Sequence, residues 1–437
     1  MDFEEINNKR VNDFNLQLNL EEYENYDKIG KGQYSTVYKV RNKKNKCIYA
    51  MKIIEKNTGK QKEIQLKQIR REIQNLLKCF SYKNPGIVLL FGHIETEEQF
   101  VLIFDYCDTN LEKYIEEKYP DKKMPLNEIK LLFMELNEGF KILYKKKVIH
   151  RDIKINNILL KYRFNDKNDI IPLLADFGIS RDNSTDNPMT ANISWALLSA
   201  PEILENGKDY SFESDLWSIG VLLYKMTFGK YPFGDEKDGL IQIYNKIQNN
   251  SHRLQKSGDK DFDDLIIKLL NKYKEKRLTY EQYFAHPFFQ FKEPTNIINF
   301  NQEYKLNISS YNKRIFIENC DCGDKLLKDI SQITFINLKE LHLEYCNIED
   351  LTPLESDQFK NLLLLNLQNN KIKNLYPMKN IKFLWIKYIY FAFNLISNIQ
   401  ILKEIPFKQL KHISFFGNPD LLFNEETKAI INSIKSK

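Results

Sequence analysis

Two stretches of the sequence place charged and amide side chains where packing alone does not account for them. The first is VIHRDIKINNILL at 148–160, in which polar residues stand between two apolar runs typical of short buried strands. Burying charges without a role is costly, so the group indicates a functional site. The second stretch, LLADFGISR at 173–181, supplies another acid, Asp176. The polar residues of the first stretch are His150, Arg151, Asp152, Lys154, Asn156 and Asn157.

A glycine-rich turn near the start of the chain is suited to binding phosphate. The sequence IGKGQYSTVYKV spans 29–40, and its Gly30 and Gly32 let the backbone approach phosphate oxygens without obstruction by side chains. Taken alone the pattern is weak, because Gly-x-Gly is common in ordinary hairpins. The β-rich flanks strengthen it, since Val37 and Ala50 stand where an adenine ring needs an apolar roof.

A lysine and a glutamate follow the glycine-rich turn. Lys52 lies on the next predicted strand, CIYAMKII at 47–54. Glu72 lies in the segment 66–80, whose apolar residues recur at helical spacing. Glu72 is either a surface residue of an amphipathic helix or the acid that pairs with Lys52 and holds it on the α- and β-phosphates of a nucleotide.

In their order along the chain, these motifs resemble the eukaryotic protein kinase family over residues 26–291. Any one motif could arise by accident, but the whole ordered series could not. The resemblance implies an N-lobe at about 26–107 and a C-lobe at about 108–291, after an N-terminal extension at 1–25. The further motifs are Asp176-Phe177-Gly178, Ala200-Pro201-Glu202, SDLWSIGVLLY at 214–224, Arg277 and AHPFF at 285–289.

The resemblance implies ATP and Mg²⁺ as cofactors and a protein as the substrate. In the family, Asp152 would accept or orient the substrate hydroxyl, and Lys154 would contact the γ-phosphate. Asn157 and Asp176 would hold the Mg²⁺ ions. A lysine two residues after the catalytic aspartate implies transfer to serine or threonine. The chain before Asp176 is longer than a minimal hairpin, and a similar insertion occurs in the Unc-51-like kinases.

The nucleotide site implied by the resemblance draws on both lobes. Phe104 would be the gatekeeper, residues 105–107 the hinge and Leu159 the floor of the adenine pocket. Lys52 and Glu72 would complete the catalytic set with Asp152 and Lys154. The predicted nucleotide-binding residues are Ile29, Gly30, Lys31, Gly32, Val37, Ala50, Lys52, Phe104, Asp105, Cys107 and Leu159.

The segment before Ala200 departs from the family pattern. Trp195 takes the place of a threonine that bonds the catalytic aspartate and lysine in serine/threonine kinases, and Leu198 replaces a tyrosine. All six groups required for the chemistry are present, so we expect an active kinase with an altered peptide shelf. The alternative is a pseudokinase, a scaffold that binds nucleotide and partners without efficient phosphotransfer.

Three further residues have roles in this segment by resemblance. Glu202 and Arg277 should form a buried ion pair that anchors it. Thr190 is best placed to carry a regulatory phosphate that pairs with Arg151, the residue before the catalytic aspartate. The alternatives are Ser184, Thr185 and Ser194.

The C-terminal part of the chain repeats every 24 residues. The repeats begin at Leu338, Leu362, Ile386 and Leu410, and each has the pattern apolar-x-x-apolar-x-apolar-x-x-Asn/Cys. They resemble the leucine-rich-repeat family, with RIFIENCDC at 314–322 as a degenerate first coil. The residues in the last place are Cys346, Asn370, Asn394 and Asn418.

We therefore predict a multidomain chain: an α+β bilobal protein-kinase fold followed by a short α/β leucine-rich-repeat solenoid. The repeat domain should span 306–437, with a C-terminal capping helix, after a linker at 292–305. Its concave sheet should bind a protein partner, with Tyr390 and Phe416 as the main exposed contacts. A purely structural role remains the alternative. The columns predicted to face outward are His342, Asn366, Tyr390 and Ser414, and Glu344, Gln368, Ala392 and Phe416.

Composition excludes several classes of function. A chain of 437 residues is too long for one core, and a net charge of +6 from scattered lysines argues against a nucleic-acid binder. The six cysteines have no secreted-framework spacing, which favours reduced thiols and a cytoplasmic location. The longest apolar run, at 381–396, contains two lysines and is too short to span a membrane, so we expect no membrane span.

Overall fold

The computed structural model describes residues 19–32, 35–57, 61–79, 86–163, 167, 169–176, 193–207, 210–250, 254–290, 293–422 and 424–435. The chain divides into two compact units, Met1–Gln290 and Phe291–Lys437. None of the helices in the described ranges is long and apolar enough to cross a membrane.

The first unit begins with a five-stranded antiparallel sheet in the order β1-β2-β3-β5-β4. One helix, α1 (Gln61–Lys78), belongs to this lobe, and it buries Ile69, Ile73 and Leu76 because they recur at helical spacing. The strands are β1 (Tyr23–Lys31), β2 (Ser35–Asn42), β3 (Ile48–Glu55), β4 (Leu90–Glu95) and β5 (Gln99–Asp105).

The rest of the first unit is mainly helical. A small antiparallel sheet, in the order β6-β7-β8, lies beside the segment that contains Asp152. The predicted bilobal α+β arrangement is confirmed. The strands are β6 (Thr109–Asn110), β7 (Ile158–Tyr162) and β8 (Ile170–Leu174). The helices are α2 (Leu111–Lys118), α3 (Leu126–Lys145), α4 (Ile193–Ala196), α5 (Pro201–Asn206), α6 (Phe212–Phe228), α7 (Leu240–Asn250), α8 (Lys260–Leu269) and α9 (Tyr280–Phe284).

One contact inside this unit requires two glycines. A Cβ added to Gly139 on α3 would lie 2.3 Å from the carbonyl oxygen of Gly86, and one added to Gly86 would lie 2.1 Å from the nitrogen of Gly139. Because Gly86 leads into the backbone bonds with β8, this close approach fixes α3 against the sheet beside the reaction centre.

The second unit is built on a five-stranded parallel sheet, in the order β13-β12-β11-β10-β9. In the register, Glu340 pairs with Leu364, Leu364 with Tyr388 and Tyr388 with His412, so the 24-residue spacing of the sequence is also the step between neighbouring strands. The strands are β9 (Arg314–Glu318), β10 (Glu340–Glu344), β11 (Leu364–Asn366), β12 (Tyr388–Tyr390) and β13 (His412–Ser414).

Helical segments complete each coil. The first return segment is helix α11 (Gly323–Ser331), and the later ones contain short 3-10 turns such as Tyr376–Asn380 and Gln400–Glu404. The last element is α12 (Glu425–Lys435), where the Asn424 side chain accepts a hydrogen bond from the Thr427 backbone N–H at 2.9 Å.

The prediction that 292–305 is a linker is wrong. Residues Thr295–Tyr304 form helix α10, which follows Pro294 and buries Ile297 and Phe300 in the core of the second unit. Asn301 fixes the end of the helix, because its side chain both donates to the carbonyl of Ile308 and accepts from its N–H. With only two buried apolar residues in a run rich in asparagine, the segment lacks the periodic pattern that would predict a helix.

Asparagine side chains join successive coils. The Asn370 Oδ1 atom accepts from the backbone N–H groups of Cys346 and Ile348, both at 3.1 Å, and its Nδ2 atom donates to the Leu343 carbonyl at 2.7 Å. Asn394 and Asn418 bond their preceding coils in the same way. The bonds satisfy backbone groups buried in the turns.

A second regularity was not predicted from the repeat pattern. At the equivalent position in the turn after each strand, the residue adopts the left-handed backbone region, at φ values from 54° to 74°. Only the last of the five is a glycine, although left-handed φ is unfavourable for other residues. The five are Asn319, Tyr345, Asn369, Phe393 and Gly417.

The outer face of the sheet differs from the prediction at its centre. Tyr390 is 1% exposed and its ring packs against His412, so its assignment as an exposed contact residue is wrong. Phe416, by contrast, is 68% exposed. Alternation along a strand predicts which face a side chain lies on, but not whether larger neighbours cover it. The other covered members of the two predicted columns are His342, Asn366 and Ala392.

Candidate active site

Asp152 lies at the centre of a hydrogen-bonded loop between α3 and β7. Its Oδ2 atom accepts from Asn157 Nδ2 and from Lys154 Nζ, both at 2.8 Å. Asn157 Nδ2 also donates to the Asp152 backbone carbonyl at 2.9 Å. The carboxylate is buried except for 6% of its surface. Side chains of this loop therefore orient the Asp152 carboxylate, as is required of a group that accepts the proton of a reacting hydroxyl.

A second aspartate holds the same loop from the side of α6. Asp215 accepts from the backbone N–H groups of His150 at 2.7 Å and Arg151 at 2.9 Å. Burial raises the pKa of Asp215 to about 7, and the two N–H donors oppose that rise. Burial also lowers the pKa of His150 to about 4, so its ring is neutral. Arg151 has a φ of 69°, a left-handed conformation that the two bonds to Asp215 help to hold.

Lys52 on β3 faces the second acid of the site. Its Nζ atom lies 2.5 Å from Asp176 Oδ1. Burial acts to lower the pKa of Lys52, but the charges of Asp176 and Glu72 outweigh it and the pKa is raised. The charge of Lys52 lowers the pKa of Asp176. Glu72, on α1, is 3% exposed, so it is not the surface residue that one interpretation of the sequence allowed.

Oxygen atoms suited to a magnesium ion lie beside this pair. Because Asn157 Nδ2 donates to Asp152, the amide oxygen of Asn157 points away from Asp152. The Asn157 backbone carbonyl accepts from the N–H of Ala175, which places Asn157 next to Asp176. An amide oxygen and a carboxylate are hard donors of the kind that Mg²⁺ prefers, so these two residues fit the ion.

The residues predicted to bind a nucleotide lie on or beside β1, β2, β3, β5 and β7. Ala50 pairs with Phe104, the predicted gatekeeper, and Val37 pairs with Lys52. Phe104, Cys107 and Leu159 pack on one apolar cluster that joins the end of β5 to β7 and β8. Gly30 and Lys31 end β1, next to Gly32, and Ile29 is 45% exposed.

The predicted hinge and the residue that follows it, Asp108, are joined to β7 by three contacts. Asp105, the last residue of β5, forms an ion pair with Lys161 at 2.5 Å, although both side chains are largely buried. The Asp108 N–H donates to the Leu160 carbonyl at 2.9 Å, and the Asp108 carboxylate accepts from the Tyr162 N–H at 2.7 Å. Lys161 was not predicted from the sequence, because a lysine on a strand gives no signal of its partner.

The anchor of the activation segment has the geometry expected for a buried pair. Arg277 Nη1 and Nη2 lie 2.8 and 3.0 Å from the two carboxylate oxygens of Glu202. Arg277 also donates to the carbonyls of Glu213 and Asn271. The guanidinium is wholly buried, and every bond it makes is to an oxygen. Thr190 lies outside the described residues.

Trp195 lies on α4 and is tied to Tyr210. Its indole Nε1–H donates to the Tyr210 hydroxyl at 3.3 Å, and its carbonyl accepts from Ser199 Oγ at 2.8 Å. The indole is half-buried on the apolar core. The Arg151 guanidinium lies 5.6 Å from the centre of the Tyr210 ring, a cation–π contact. Tyr210 is therefore a residue of the site that sequence analysis missed.

Comparison with known proteins matches the same part of the chain. The family model described as protein kinase domain matches residues 23–289. Aurora kinase of Schizosaccharomyces pombe is 34% identical over 260 residues, 60% of this chain and 69% of that protein. Serine/threonine-protein kinase unc-51 of Caenorhabditis elegans is 29% identical over 278 residues, 61% of this chain and 31% of that protein. Serine/threonine-protein kinase 36 of Mus musculus is 29% identical over 270 residues, and the match spans only 19% of its length.

Proposed function

The chain belongs to the protein kinase family, and from this premise we propose that it is an active serine/threonine kinase that uses ATP and Mg²⁺. The orientation of Asp152 by Asn157 and Lys154 is the observation that carries the proposal. The Asp152 carboxylate orients the attacking hydroxyl and accepts its proton. Lys154 contacts the γ-phosphate while it is transferred, and Lys52 neutralises negative charge on the α- and β-phosphates. Held by Asn157 and Asp176, Mg²⁺ would supply further neutralisation of phosphate charge.

The pseudokinase alternative rests on the missing threonine at position 195. In this chain Asp152 already receives two side-chain hydrogen bonds, so its orientation does not depend on a contact from the peptide shelf. The bond from Trp195 to Tyr210 holds the shelf in another way. These contacts favour an active enzyme with an apolar shelf.

The proposal is tested by transfer of radiolabelled phosphate from ATP by the purified chain, with and without Mg²⁺. We expect Mg²⁺-dependent labelling of the chain or of a generic protein substrate. The Asp176→Asn variant, which removes the charge at the predicted metal site, should not label. Stabilisation of the wild-type chain by Mg·ATP without any labelling would instead favour the scaffold.

The hinge ion pair gives a prediction on nucleotide affinity. Lys161→Met removes one partner of the largely buried ion pair with Asp105, and such a loss is destabilising, so we expect the hinge to rearrange. We expect the KM for ATP to rise by roughly 10-fold, about 1.4 kcal/mol, while kcat changes little. Lys161→Arg, which keeps the charge, should restore most of the affinity. The exposed Lys230→Met is the matched control, and an unchanged KM in Lys161→Met would show that the pair does not position the hinge.

We further propose that the second unit is of the leucine-rich-repeat type and recruits a substrate or partner protein. The 24-residue register of its parallel strands and the asparagine bonds between coils support this assignment. A structural role in support of the first unit is the alternative. A cytoplasmic location remains a prediction from the cysteine pattern.

A further inference from the structure

Lysines recur at the start of the sheet in the second unit. The N–H of the residue just before each strand donates to the carbonyl of its counterpart in the preceding coil. These bonds run from Lys339 to Lys313, from Leu363 to Lys339, from Lys387 to Leu363 and from Lys411 to Lys387, each at 2.8 Å. Lys313 and Lys339, and likewise Lys387 and Lys411, are therefore about one strand spacing, ~4.8 Å, apart, and Leu363 separates the two pairs. We call the four lysines the basic rim; all are at least partly exposed.

Aromatic side chains recur at the opposite end of the strands. Tyr345, Phe393 and Phe416 are 53%, 49% and 68% exposed. The rings of Phe393 and Phe416 meet edge to face with their centres 5.4 Å apart. Gly417 makes room for them, because a Cβ there would lie 2.4 Å from the Phe393 ring. We call these three residues the aromatic rim. Large exposed rings of this kind are typical of binding surfaces.

The acids between the two rims are confined to the first two coils. Glu344 accepts a hydrogen bond from Asn366, and Glu340 lies 3.5 Å from His342. The third acid is Glu318. The outward positions of the last three coils hold no acid: Leu364, Asn366, Gln368, Tyr388, Tyr390, Ala392, His412, Ser414 and Phe416. Over these coils the face is positive at one end, uncharged in the middle and aromatic at the other end.

We propose that this face of the last three coils binds an extended peptide that carries acidic side chains at one end and apolar ones at the other. The acids pair with Lys387 and Lys411, and the apolar residues pack on Phe393 and Phe416. Six residues separate Lys387 from Phe393, a span of about 20 Å, so the two ends of the peptide motif are five or six extended residues apart. The inference rests on the proposed recruiting function and names the chemistry of the partner.

The separation of the rims favours a peptide over a single-stranded nucleic acid. Nucleic acid carries a phosphate at every base, so it needs cations along the path on which its bases stack. Here the rings lie about 20 Å from the lysines, across an uncharged middle. A peptide can place its charge at one end only.

The test uses the full-length chain and a fluorescein-labelled peptide with two aspartates, four glycine or serine spacers and two phenylalanines. Binding is followed by fluorescence anisotropy at low and high salt, because the contact of charges at a surface weakens as salt screens it. Two further probes are the same peptide with asparagines in place of the aspartates and a labelled oligothymidine.

We expect the aspartate peptide to bind at least roughly 10-fold more tightly than the asparagine peptide at low salt, with the difference reduced at high salt. Lys387→Glu with Lys411→Glu should remove this difference, and Phe416→Ala should weaken both peptides by roughly 10-fold. Lys371→Glu with Lys373→Glu, which changes net charge equally at exposed sites past the turn, should bind as wild type. Thermal unfolding checks that the variants are folded.

Equal binding of the aspartate and asparagine peptides would overturn the proposal that the partner carries acidic side chains. It would not contradict the recruitment of a partner protein by the second unit. Preference for oligothymidine would overturn the proposal in favour of nucleic acid. Failure of the chain to bind any of the three probes would overturn the assigned surface, and none of these outcomes bears on phosphate transfer by the first unit.

Discussion

Asp152→Asn is expected to lower kcat for phosphate transfer by about 10²–10⁴-fold, the usual contribution of a positioned general base. Asparagine has nearly the same shape, and its amide oxygen can still accept from Asn157 and Lys154, which now donate to Asp152 Oδ2 at 2.8 Å. The variant loses the charge and the proton-accepting atom without losing the loop. The KM for ATP should change little, because Lys52 and Asp176 are untouched. Single-turnover transfer from radiolabelled ATP measures the effect.

The matched control for this prediction is Asp121→Asn, the same change at an exposed turn of the same lobe. It should leave the rate unchanged. If Asp152→Asn kept more than about a tenth of the wild-type kcat, Asp152 would contribute less than the ~1.4 kcal/mol that a factor of ten represents, and its role as the base would be excluded.

Arg277→Met is expected to destabilise the first unit by about 3–5 kcal/mol, the usual result of removing one partner from a buried ion pair. The variant leaves the carboxylate of Glu202, 16% exposed, without its guanidinium. It also leaves the carbonyls of Glu213 and Asn271 without their donors. Urea unfolding followed by tryptophan fluorescence measures the change, because Trp217 lies 5.1 Å from the guanidinium.

Lys141→Met is the control for the ion pair. Its partner is Glu138 on the same face of α3, and both side chains are more than two-fifths exposed. Exposed helical pairs of this spacing contribute about 0.2–0.5 kcal/mol, so the control should be nearly as stable as wild type. If Arg277→Met and Lys141→Met lowered the free energy of unfolding equally, burial of the ion pair would not explain the effect of Arg277→Met.

The cost of Arg277→Met should also depend on pH. Burial alone would raise the pKa of Glu202, but the bonds from Arg277 outweigh it and the pKa is lowered. The pair therefore stabilises the wild type above the ordinary glutamate pKa of about 4.3, and this stability is lost as pH falls through the lower folded value. In the variant, burial raises the pKa of Glu202, so acidification relieves the unpaired charge. The difference between the two proteins should narrow as pH falls from 7 towards 4.

The chemical centre could be predicted because its residues are few and close in sequence. Asp152, Lys154 and Asn157 lie within one loop, so their spacing alone places them together. Lys161 and Tyr210 could not be predicted, because each contacts a residue more than fifty positions away through an ordinary strand or loop. Such contacts depend on how the elements pack, which a single sequence does not display.

The second unit shows the same division between local pattern and packing. The 24-residue period predicted the strand register, because each coil must bury the same apolar positions. The period did not predict that Tyr390 is buried while Phe416 is exposed. The burial of a side chain on this face depends on the sizes of its neighbours in adjacent coils. Helix α10 was missed for a related reason, because its two buried residues pack on a core supplied by later parts of the chain.

The asparagine bonds give the array of coils a direction. Asn370 serves the backbone of the coil before it, Asn394 serves the coil of Asn370, and Asn418 serves the coil of Asn394. In these asparagine bonds, each coil is thus completed by its successor. Loss of a coil from the C-terminal side strips two buried groups from the coil that remains, whereas loss from the N-terminal side strips none in this way. Removal of coils from the C-terminal end should therefore destabilise the array more than removal of coils from the N-terminal end.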